Sequence, residues 1–141
     1  MLLADVHAHL DLIRKEELAA VIGRATAAGV KAIVSNSVDP KSMRKTLELQ
    51  ERFKIVKAAL GLYPTEAARL SAAAVEGELN FIRSCGDRIV AIGEIGLDYQ
   101  EAKAERERLQ QQQLFERQLE LAKQLGKPVI VHSRQAEKGV V

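Results

Sequence analysis

One cysteine in 141 residues, Cys85, excludes an internal disulfide. Its place near the end of an expected helix suits a buried structural thiol better than a nucleophile. No window approaches the roughly 18 consecutive apolar residues of a membrane span. The N-terminus lacks both the basic stretch and the apolar run of about 7–15 residues that make a signal peptide. Charge of one sign is scarce as well: 21 Lys and Arg stand against 19 Asp and Glu, for a net +2. No Lys/Arg block marks an electrostatic footprint for nucleic acid, so any action on nucleic acid has to come from a site and not from bulk charge. With 47% hydrophobic and 28% charged residues, the chain reads as globular rather than disordered or fibrous. The expectation is a cytoplasmic enzyme or binding protein, without a membrane partner, in one domain over residues 1–141.

What is present is a regular alternation of strand and helix patterns. Leu2, Leu3 and Val6 mark a first buried strand, and Leu18, Val21, Ile22 and Ala25 recur at helical spacing over Lys15–Ala28, which Gly29 stops. A second strand follows at Val30–Asn36. Asp39-Pro40 opens a helix to about Phe53, with Asp as cap and proline in the first turn. Strands are expected at Ile55–Leu60, Arg88–Ile95 and Pro128–His132, and helices at Ala72–Ser84 and from about Glu101 to Leu125. The Gln110–Gln113 run lies within that last helix and reads as solvated surface. From Ser133 the pattern begins another helix. Five short apolar strands alternating with helices predict a parallel α/β sheet.

The polar residues fall at particular places in this pattern. Asp5, His7 and His9 alternate, and side chains at i, i+2 and i+4 of a strand share one face. Imidazole nitrogens and carboxylate oxygens are ligands for divalent cations of intermediate hardness. Glu94 is expected to close the fourth strand and His132 the fifth, and ligands of parallel sheets collect outside the carboxyl ends of the strands. His7, His9, Glu94 and His132 together predict a metal centre at one rim of the sheet.

Three ordered stretches carry a family resemblance: Asp5-Val6-His7-Ala8-His9-Leu10-Asp11, Gly93-Glu94-Ile95-Gly96-Leu97-Asp98-Tyr99, and Lys127-Pro128-Val129-Ile130-Val131-His132-Ser133-Arg134. They resemble the signatures of the TatD-related deoxyribonucleases, and Gln111, Phe115 and the run Gln118–Ala122 match as well. The resemblance implies a metal-dependent hydrolase with an amidohydrolase-like barrel. It implies two divalent ions (Mg²⁺, Mn²⁺ or Zn²⁺), His7 and His9 on one, His132 on the other, and Glu94 bridging them. It further implies hydrolysis of phosphodiester bonds in DNA, often from a 3′ end. Two cations can activate water and clamp the attacking and leaving oxygens of a phosphate, which gives the implication a physical basis. Glu94 and Arg134 are the expected catalytic residues, Arg134 as a planar fork for phosphate. Tyr63 and Arg134 are the expected substrate contacts; Tyr63 stands in Gly61-Leu62-Tyr63-Pro64, where the family usually has Gly-x-His-Pro.

The same cation chemistry would serve hydrolysis of an amide or lactone, so that alternative stays open. An eight-stranded barrel needs about 250 residues, and the family's further histidine and late aspartate lie on strands beyond the fifth. The chain therefore reads as the N-terminal part of a longer enzyme, inactive by itself with residual metal binding, and its open sheet edges are candidates for self-association.

Overall fold

The computed structural model describes residues 2–140. Its strands are β1 (Leu3–Ala8), β2 (Val30–Asn36), β3 (Val56–Leu60), β4 (Ala91–Asp98) and β5 (Val129–Arg134). They form one parallel sheet in the order β1-β2-β3-β4-β5. Helices α1 (Lys15–Ala27), α2 (Pro40–Arg52), α3 (Glu66–Arg69), α4 (Ala72–Ser84) and α5 (Glu105–Leu125) fall between successive strands. This is the expected arc of a (β/α) barrel. No helix of the described residues is long and apolar enough to cross a membrane.

Local chemistry explains the helix ends. Asp39 Oδ1 accepts from the Ser42 N–H at 2.6 Å while Ser42 Oγ accepts from the Asp39 N–H at 2.9 Å, a reciprocal cap with Pro40 in the first turn. Ser71 caps α4 through the Ala74 N–H. Gly126 ends α5 in the left-handed conformation, φ +61°. Leu60, Leu62, Ile92, Ile95 and Leu97 on the sheet side pack against Leu79 and Ile82 of α4 and Leu114, Phe115 and Leu121 of α5. A second cluster, Leu10, Leu18, Ile22, Ile33, Leu49 and Val56, fills the space between α1, α2 and the sheet. Cys85 is buried beside the first cluster, as expected of a structural thiol. Every residue of β4 is buried, whereas the edge strands expose Leu3, Val6, Val129 and Val131.

Neighbouring strands lie about 4.8 Å apart, so β1 and β4 would be about 14 Å apart in a flat sheet. His7 on β1 instead lies 3.3 Å from Glu94 on β4. The sheet is curled, and the curl brings its C-terminal rim together.

Several boundaries differ from the sequence expectation. The fourth strand runs from Ala91 to Asp98 instead of ending at Ile95, so Glu94 lies mid-strand. Arg88 belongs to a short 3₁₀ turn tied to Cys85 O, which delays the strand. Gly93 and Gly96, which read as a strand end, are interior positions where β5 comes close. Gly96 has φ +143°, and a Cβ there would lie 2.0 Å from the His132 carbonyl oxygen. The fifth helix starts at Glu105, because Asp98 Oδ1 accepts from the Gln100 and Glu101 N–H groups and holds a turn first. The fifth strand continues to Arg134, and beyond it only Glu137–Gly139 winds, as a 3₁₀ turn; the rest of the expected helix, Val141, is outside the described residues. Helix α3 has no counterpart in the sequence reading.

The glutamine run also differs. Gln111 and Gln118, one face of α5 two turns apart, are buried. Gln118 accepts from the Leu62 N–H at 2.7 Å and donates to the Leu62 carbonyl at 3.0 Å. Gln111 accepts from the Asp98 N–H at 2.8 Å. These amides pin the backbone beside Tyr63 and at Asp98, the ends of β3 and β4.

Two outcomes follow. Gly96→Ala forces a side chain against the β5 backbone at a φ that L-residues avoid, and should cost about 3–5 kcal/mol in urea unfolding. A cost under about 1 kcal/mol would contradict the close approach. Gln118→Leu keeps the volume but leaves two buried Leu62 backbone groups unpaired, for an expected loss of about 2–5 kcal/mol in the same measurement. A neutral result would show that the clamp carries no weight.

Candidate metal centre

The curled rim collects side chains from four strand ends. His7 Nε2, His9 Nε2 and Glu94 Oε2 form a triangle with edges of 3.2, 3.2 and 3.3 Å. Two ligand atoms each about 2.0–2.1 Å from one cation at a tetrahedral angle are about 3.3–3.4 Å apart, so the triangle has the size of one face of a tetrahedral shell. On the other side of the same carboxylate, Glu94 Oε1 lies 2.9 Å from His132 Nδ1. Glu94 is buried, at 5% exposure, between an exposed His7 and partly buried His9 and His132.

Proton accounting sharpens the picture. His9 Nδ1 faces the Asn36 carbonyl oxygen at 3.0 Å. A carbonyl only accepts, so Nδ1 carries the proton and the neutral ring presents a lone pair at Nε2. Glu94 Oε2 is a second acceptor at the same point. A proton on His7 Nε2 can serve one of these two acceptors; a cation serves all three atoms. The donor set therefore fits a divalent ion of the zinc, manganese or magnesium kind, with histidine favouring the softer end of that range.

His132 is held from its far side. Nε2 lies 2.9 Å from Tyr63 Oη and 3.2 Å from Asp98 Oδ2, and Tyr63 Oη donates to Asp98 Oδ2 at 2.9 Å. Burial pushes the Asp98 carboxyl up. The Glu101 N–H, the Tyr63 hydroxyl and His132 outweigh that and hold it below the usual carboxylate range. Burial, then the Asp98 carboxylate, push the Tyr63 phenol well above its ordinary value, so it is a neutral donor.

Of the residues expected at the site, His7, His9, Glu94 and His132 are brought together. Asp5 is not. Its Oδ1 accepts from the His7 backbone N–H, and it stays exposed outside the cluster. Asp5 lies two residues deeper in β1 than His7, where the pairing with β2 shifts between Asp5 and Ala8, while His9 joins His7 from just beyond the strand, with φ −115° and ψ 76°. Arg134 is an exposed strand residue two positions after His132, rather than a helix start, and its positive charge reaches Tyr63. Tyr63 is at the site with its hydroxyl engaged on Asp98 and His132.

Asp98 has no assigned role in the sequence motif that contains it. An acidic residue four positions after Glu94 in an otherwise apolar strand shares its face, and that spacing was the available signal. Two further polar atoms near this rim are buried without partners, Asn36 Oδ1 and Asp11 Oδ1. Burial pushes the Asp11 carboxyl up; its own backbone N–H and His9 oppose the shift and Asp39 adds to it.

Known proteins place this arrangement. The chain is 35% identical over 143 residues to an uncharacterized metal-dependent hydrolase, YabD, of Bacillus subtilis, covering 99% of this chain and 54% of that protein. It is 32% identical over 151 residues to the human deoxyribonuclease TATDN3, with coverage of 99% and 54%. The crystal structure of the TatD homologue YjjV of Escherichia coli superposes with a TM-score of 0.84 at 32% identity, over 97% of this chain and 52% of that one. The chain thus spans about half the length of the curated relatives it matches. Residues 4–141 match the family model described as TatD related DNase, and the chain belongs to that family.

Proposed function

We propose that the rim is the metal centre of a hydrolase that cleaves phosphodiester bonds of DNA, acting from the 3′ end as the motif resemblance implies. The observation that carries this reading is the two-sided carboxylate: Glu94 Oε2 faces His7 and His9 while Oε1 faces His132. His7, His9 and Glu94 would hold one divalent cation, Glu94 and His132 a second. Cations bound there supply Lewis acidity toward phosphoryl oxygens and activate water for attack. The chain's own part is to place the charges. Glu94 offsets two dications from a buried position, and the Asn36 carbonyl fixes the His9 ring through Nδ1. Arg134, exposed on the strand that carries His132, offers a guanidinium fork to the phosphate, where negative charge grows as the bond to the leaving oxygen breaks.

The human relative's name, deoxyribonuclease, supports DNA as the substrate class. His132→Ala removes a ligand, and loss of a mere outer partner of a ligand already costs about 10–100-fold. The variant should therefore lose metal uptake by about 100-fold or more, and whatever oligonucleotide hydrolysis accompanies metal binding should fall in parallel. Zinc or manganese calorimetry and a 3′-labelled oligonucleotide assay read both. Unchanged hydrolysis would overturn the assignment, and turnover of lactones or amides with none of oligonucleotides would replace the phosphodiester by a carbonyl substrate.

A further inference from the structure

The Tyr63–Asp98–His132 cluster is not needed to form the triangle at Glu94, yet it is the most tightly connected polar group on the rim. Its three polar atoms stand at 2.9, 2.9 and 3.2 Å from one another. Asp98 Oδ2 only accepts, and the Tyr63 hydroxyl has a single proton, which it gives to Asp98. The remaining contacts, His132 Nε2 with the phenol oxygen and with the carboxylate, are satisfied by a proton on Nε2. Nδ1 faces a second acceptor, Glu94 Oε1, at 2.9 Å, a contact that calls for either a proton on Nδ1 or a cation between the two atoms.

The cluster is also built to stay put. Asp98 is fully buried, its Oδ1 is fixed by the Gln100 and Glu101 N–H groups, and its backbone N–H is held by Gln111. The segment before Tyr63 is clamped by Gln118.

We propose that Asp98 and Tyr63 are a pair of positioning residues that keep the His132 proton on Nε2 and so reserve Nδ1 for a cation shared with Glu94. Tyr63, at the position where the family pattern carries histidine, thereby acts through His132 and not as a direct contact to substrate. The proposal rests on the metal reading above for its purpose, but not for its observable. An Asp→Asn change at such a position supplies a donor where the ring needs an acceptor and reverses the tautomer, the behaviour known for the serine-protease triad.

Long-range ¹H–¹⁵N spectra of the imidazoles at about pH 8, above the ordinary histidine range, read the proton directly in the 141-residue chain, with and without zinc. The expected result is a protonated His132 Nε2 in both states. Asp98→Asn should move the proton to Nδ1 and weaken zinc uptake by about 10–100-fold, while the His9 resonances keep Nδ1 protonated and report that the fold is intact. Tyr63→Phe should weaken zinc uptake by less, and Tyr63→His, which restores an N–H toward Asp98, should recover it. An unprotonated Nε2 in the unaltered chain, or an Asp98→Asn ring identical to it, would overturn the proposal. A chain that shows the expected proton and its reversal but takes up no zinc supports the positioning pair and overturns the metal reading alone.

Discussion

Everything at the rim depends on one buried carboxylate reaching in two directions. Glu94 sits in the middle of β4, every residue of which is buried, with His7 of β1 and His9 just beyond it on one oxygen and His132 of β5 on the other. Those partners come from the two outermost strands of the sheet. A buried anion is tolerated only when paired and hydrogen-bonded, so the Glu94 contacts both need and report the curl that brings β1 and β5 toward one another.

The curl in turn needs close backbone approach on one side and firm backing on the other. Gly96 lets β5 come within a distance that no side chain would permit, directly opposite His132. Behind the rim, α5 reaches in with Gln111 and Gln118, whose amides satisfy buried backbone groups at Asp98 and Leu62. Polar side chains inside a core are costly when unpaired and rigidifying when paired. Here they fix the end of β4 at Asp98 and the segment after β3 that carries Tyr63. The helix is thus amphipathic in an unusual sense, with glutamine among Leu114, Phe115 and Leu121 on its buried face.

Much of this was legible in the sequence, and the rest had physical reasons for staying hidden. The bounds of β2 and α4 followed from apolar runs and their punctuation, and the convergence of His7, His9, Glu94 and His132 followed from metal-competent side chains expected toward one end of the strands. Glycine misled twice, because Gly93 and Gly96 read as a terminator when their function is to admit a neighbouring backbone. Strict alternation placed Asp5 with the histidines, but Asp5 lies deeper in β1, before a shift in its pairing with β2, and its carboxylate turns to the His7 N–H instead. Gln111 read as solvated surface with the rest of Gln110–Gln113, since nothing local distinguishes a glutamine facing water from one facing an unpaired peptide group. Asp98 lacked a role because its partners, Tyr63 and His132, lie 35 and 34 residues away in sequence.

The most direct test of the central claim is anomalous diffraction from crystals of this chain grown with Mn²⁺. The account predicts a peak within coordination distance of His7 Nε2, His9 Nε2 and Glu94 Oε2, and a second beside Glu94 Oε1 and His132 Nδ1. Well-ordered side chains at this rim with no anomalous peak among them, at a manganese concentration that saturates other sites, would contradict it.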